Sequence, residues 1–133
     1  MGARYSAAML SRFHMKRGAP ARELPAGRRV DTRMHTRHIL RPERPVVETY
    51  LAAPSDAAWK KFRAAYRAAV ANRRKADAAS FDALADEARA GDVHLGCSCP
   101  TAKNPDVRRC HTWLALELMH EWYPDLDVRF PPV

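Results

Sequence analysis

Cys97, Cys99, Cys110 and His111 fall within one fifteen-residue window. Their side chains are the ones best suited to bind soft metals or to attack electrophiles. The three cysteines are the only ones in the 133-residue chain. In an extended segment Cys97 and Cys99 point the same way, because side chains alternate with a period of two. Cys110 returns ten residues after Pro100 with His111 beside it, which completes a set of three thiolates and an imidazole suited to zinc. Adjacent helical residues diverge by about 100°, so Cys110 and His111 join one ion only if a helix starts there. The C-x-C and C-H spacings also differ from the C-x-x-C pairs of common zinc knuckles.

A second chemistry uses the same residues. Cys110 falls near a helix start, where free N–H groups and the helix dipole favour an anion. Arg108, Arg109 and Lys103 add positive charge around it. Both effects lower a thiol pKa and would equally hold a phosphate-like cofactor or substrate. Cys110 is then the candidate nucleophile, with His111 as general base or as donor to a bound oxyanion. Against both readings stands plain packing, since free cysteines are commonly buried as small hydrophobes.

The elements around the cluster place it on a strand–loop–helix turn. DVHLGC alternates, with Val93, Leu95 and Cys97 on one face and His94 and Gly96 on the other, and reads as a short central strand. His94 reads as a packed or edge histidine. The loop PTAKNPD follows, and Asp106 is the expected cap of a long helix through Trp113, Leu114, Leu118 and Met119 up to Pro124. A β–α–β crossover through residues 106–122 would make two strands parallel. The site therefore belongs at the end of strand 92–98, where α/β proteins gather ligands.

Upstream, MHTRHILRP and VVETYLAAP read as two strands separated by the turn PERP. Ser55 caps a helix in which Trp59, Phe62, Tyr66 and Val70 recur at helical spacing, and that aromatic stripe reads as core. A second helix opens at Ser80 and stops at Gly91, and DLDVRF reads as a last strand. The order β-β-α-α-β-α-β predicts a small three-layer α/β domain over residues 31–133, with an at least partly parallel sheet.

The chain is long enough for one domain with a real core, and no apolar run approaches the roughly 18 residues of a membrane helix. An odd cysteine count and no visible signal peptide point to a reducing cytoplasm rather than a secreted disulfide framework. The net charge is +8, of which the first 30 residues carry +6. Residues 1–30 therefore read as a basic extension, disordered or arising from an over-called start, with Val30 as the alternative start. As an arm, it would give the protein a nucleic-acid partner.

The pattern F-x₃-Y, F-x₂-L, then G-D-V-x-L-x-C, then C-H opening a helix resembles the C-terminal half of bacterial proteins grouped as domain-of-unknown-function family 488. The shorter C-x-C-P…C-H-x₃-L pattern is similar to a second such family, numbered 4326. The resemblance covers about residues 59–120, and its specific part is 93–116. It implies a Rossmann-like α/β sandwich with a pocket above the strand end, and picks out Cys97, Cys110 and His111. Thr112 stands where an arginine usually follows the C-H pair. The expected function is a small α/β domain binding a small molecule or nucleotide at the junction of strand 92–98 and helix 106–122, with thiol and histidine chemistry. The alternatives are a zinc-stabilised binding module and a nucleic-acid-associated protein.

Overall fold

The computed structural model describes residues 8–133. It is built from three strands, β1 (Leu10–His14), β2 (Arg28–Asp31) and β3 (Val93–Cys97). Four helices accompany them, α1 (Arg44–Ala52), α2 (Asp56–Ala76), α3 (Ala78–Ala90) and α4 (His111–Trp122). The strands form one sheet in the order β1-β3-β2, with both pairings parallel. Leu10 and Arg28 flank Val93, and His14 pairs with Cys97, so the strands run out together at the carboxyl edge beside the cysteines. The fold is α/β with a short parallel sheet.

β3 is buried along its whole length, as a central strand must be. α4 lies against β1 and β3, α2 packs on α4, and α1 and α3 pack on α2. On the opposite face of β3, His94 Nε2 lies 2.8 Å from the Ala26 carbonyl. A Cβ on Gly96 would fall 2.6 Å from Met15 Sδ and 2.8 Å from Phe13 Cε1, so the bare glycine leaves the room that these two side chains fill against β3.

The reading of residues 1–30 as an extension outside the domain is corrected for the described part. Two of the three strands come from it, and Leu10 is wholly buried; residues 1–7 lie outside the described residues. Charge counting misled because several polar residues of this segment have structural partners. Ser11 Oγ donates to the Arg129 carbonyl at 2.8 Å, Arg12 reaches across to the cysteine loop, and Arg28 pairs with Glu87. A strand at a sheet edge tolerates such residues on its outer side.

Three other expectations change. MHTRHILRP is not a strand but a run of turns, with Leu40 buried at its end. Its backbone is satisfied from α2: Tyr66 Oη donates to the Leu40 carbonyl at 2.6 Å, and Arg73 Nη1 donates to the carbonyls of Ile39 and Arg41. Buried carbonyls need partners, and here side chains supply what a ladder would have. VVETYLAAP forms α1, with Pro45 in its first turn; Val46, Val47, Tyr50 and Leu51 recur at helical spacing despite the β-branched pair. DLDVRF is reduced to one parallel bridge, Leu10 with Val128, closed by Leu10 N to Asp127 O and Arg129 N to Leu10 O.

α2 starts where Ser55 predicts, its hydroxyl accepting from Ala58 N at 3.0 Å, and buries Phe62, Tyr66 and Val70. Trp59, Phe62 and Tyr66 stack along it. α3 begins earlier than expected, because Asp77 rather than Ser80 caps it, and ends at Gly91. Asp106 caps only a single turn, Val107–Arg109, and α4 starts at His111 with Cys110 as its N-cap residue.

Candidate functional site at the carboxyl edge of the sheet

Cys97 ends β3, Cys99 lies in the loop two residues on, and Cys110 caps α4, so strand and helix bring the three sulfurs together from separate elements. All three Sγ atoms lie within 4.8 Å of one another. The thiols are free, and Cys97 and Cys110 are buried. His111 is adjacent but differently engaged. Its Nε2 lies 2.8 Å from Thr32 Oγ1, and its Nδ1 lies 3.8 Å from Cys110 Sγ. The Thr32 hydroxyl donates to the Gly96 carbonyl at 3.0 Å. With that single proton committed, His111 Nε2 is the donor to Thr32, and Nδ1 faces the sulfur, placed to take the thiol proton and then donate it back as an imidazolium N–H.

Cys110 Sγ collects donors. Thr112 Oγ1 donates to it at 3.2 Å, and Arg12 Nη2 approaches to 4.0 Å. The Cys97 thiol, then the Cys99 thiol, donates to it as well and holds Cys110 well below the ordinary thiol range, against the effect of burial. The nearby His111 acts in the same direction. Donating S–H hydrogen bonds to Cys110 pushes Cys97 and Cys99 up, and burial adds to both. These directions make Cys110 the first of the three to ionise, and a thiolate is the nucleophilic form of cysteine.

The cradle is held from three directions. Arg12 on β1 donates from Nε to Thr112 Oγ1 at 3.1 Å and from Nη2 to the Cys99 carbonyl at 2.7 Å. Asn104 Nδ2 donates to Cys99 Sγ at 3.4 Å and to the Arg109 carbonyl at 2.8 Å. Thr32, just beyond β2, fixes the imidazole. Sequence reading missed Arg12, Thr32, Asn104 and Thr112. Arg12 and Thr32 arrive through strand pairing, which spacing along the chain does not reveal. The position of Thr112 next to the C-H pair was the one local signal.

A cavity of about 280 Å³ opens beside the sulfurs. Pro42, Val47, Tyr50, Leu51 and Phe62 make its apolar wall. Cys97, Cys99, Cys110 and His111 make the reactive side, with Arg33, Asn104 and Arg109 at the polar margin. The expected cationic residues separate here. Arg109 reaches the cavity and pairs with Asp56; Arg108 pairs with Asp106 at 3.0 Å; Lys103 is exposed on the loop. The four-member metal set separates too: the three sulfurs converge, while the imidazole turns to Thr32.

The chain is thus a small α/β domain with a parallel sheet and a thiol-lined chamber at the sheet's carboxyl edge. The chain belongs to the DUF488 family: the family model described as the active DUF488-N3 subclade matches residues 10–123. The match takes in β1 and β2 as well as the cysteine-bearing half. No curated protein and no solved structure matches the chain. Among the described residues, no helix is long and apolar enough to cross a membrane.

Proposed function

We propose that this chain binds a small organic molecule in the chamber between β3 and α4, and that Cys110 is the thiol that reacts with it. The observation that carries this reading is the convergence on one sulfur. Cys110 Sγ sits at a helix start, beside a cavity, with the Thr112 hydroxyl at 3.2 Å and His111 Nδ1 at 3.8 Å. Nucleophile, base and a third group orienting the base form the arrangement that covalent catalysis requires. Sγ attacks an electrophilic atom of the ligand and forms a covalent bond to it, and His111 Nδ1 takes any proton the sulfur still carries. The leaving group departs with the electron pair of the broken bond. Three free thiols suit a reducing cytoplasm, where the protein would work.

A second reading has its own observation. Three sulfurs within 4.8 Å suit a soft ion such as zinc, with a fourth position left toward the chamber because His111 is engaged elsewhere. Metal content and alkylation separate the two. On the thiol reading, metal-free protein stays folded and iodoacetamide modifies Cys110 before Cys97. On the zinc reading, the protein purifies with one equivalent of metal, all three thiols resist alkylation, and a chelator exposes them.

A further inference from the structure

A second depression lies across the sheet from the thiols, between the turn after β1 and the end of β2. It is a groove of about 550 Å³ with Phe13 and Met15 in its floor. Lys16, Arg17, Arg29 and Arg33 line it, against a single acid, Asp31. That acid is already taken: Arg33 Nε and Nη2 donate to its two oxygens at 3.0 and 2.8 Å. Lys16 and Arg17 are exposed and form no ion pair among the described residues, and Arg29 Nη1 donates only to the Pro25 carbonyl. Three cations therefore face the groove without an anion. Arg33 also lines the thiol chamber, with Nη1 3.4 Å from Ser98 Oγ. Groove and chamber thus adjoin at one guanidinium, at the carboxyl ends of β2 and β3.

We propose that the ligand of the thiol chamber carries phosphate, its organic part in the chamber and its phosphate groups along the groove; this rests on reading the chamber as a ligand site. The apolar wall of Pro42, Val47 and Phe62 offers nothing to a charged end. One carboxylate would leave two of the three free cations uncompensated, whereas two or more phosphates match them. Guanidinium forks fit phosphate oxygens in pairs. The carboxyl edge of a parallel sheet is where such ligands collect, and a net charge of +8 draws anions toward it.

The phosphates could belong to a nucleotide or to a polynucleotide strand, so the test uses both a nucleoside triphosphate and a single-stranded 12-mer on the full chain. Affinity is measured in about 50 and about 200 mM salt, and Cys110 alkylation is followed with and without the anion. The expected result is binding of at least one probe that weakens at least about tenfold over that salt range. It should weaken at least about tenfold again in the K16E/R17E variant, and the bound anion should slow Cys110 alkylation at least about threefold. Tighter binding of the 12-mer points to a strand, and tighter binding of the triphosphate to a nucleotide. No binding of either probe at low salt would overturn the proposal. So would unchanged affinity in K16E/R17E, or full-speed alkylation with the anion bound. Alkylation without any anion reports on the thiol reading alone, so the two fail separately.

Discussion

At the scale of single residues, the Cys110 thiolate is made by its neighbours more than by the helix it caps. Thr112→Val removes the hydroxyl at 3.2 Å and keeps the shape. A hydrogen bond to a charged group contributes about 1.5–3 kcal/mol, so the apparent pKa of Cys110 should rise by about one unit or more. The pH profile of its alkylation rate reads this directly, and an unshifted profile would remove Thr112 from the account. His38 makes a second residue-scale prediction. Burial, with the nearby His111 charge, lowers it to about 4, and its Nδ1 accepts from Leu40 N at 3.0 Å. Its folded-state pKa is depressed, so the unfolded chain takes up the proton first. This contribution is therefore full above about pH 6.5 and is lost as pH falls toward 4, by at most about 3 kcal/mol. Urea midpoints across that range should fall in the parent and flatten in His38→Gln.

At the scale of elements, α2 holds the loop that carries the chamber's far wall. Tyr66→Phe leaves the Leu40 carbonyl without its donor in a buried site and should cost about 1–3 kcal/mol in chemical denaturation. A cost near zero would mean that the 34–42 turns do not depend on α2. This loop also shows where sequence stopped being informative. The stripe of Phe62, Tyr66 and Val70 was legible, because one helix face must be buried whatever it meets. β3 was legible from its alternation, and the cluster at its end from residue type alone. The loop was not, because side chains from a distant helix satisfy its carbonyls and leave no periodic trace. α1 was misread because Val46 and Val47 favour strands locally, while the whole spacing through Leu51 is helical. The partners of Cys110 on β1 and of His111 after β2 were invisible for a related reason: parallel pairing joins residues more than sixty positions apart.

At the scale of the whole molecule, the sheet is assembled from both ends of the chain around β3. A chain lacking residues 1–14 loses β1, the Leu10 pairing with Val93 and the bridge to Val128. It should lose cooperative thermal unfolding altogether, and a melting temperature within about 5 °C of the parent would show β1 to be dispensable. The same assembly explains why the reactive centre lies at the sheet's carboxyl edge. There three strands end together, α4 begins, and an apolar chamber and a basic groove adjoin. The most direct test of this account is the pH–rate profile of iodoacetamide modification at each cysteine, resolved by mass spectrometry. The account predicts that Cys110 reacts first, with a midpoint below the free-thiol value of about 8.5, while Cys97 stays unmodified until the protein unfolds. Equal, slow modification of all three cysteines, or a Cys110 midpoint at or above 8.5, would contradict it.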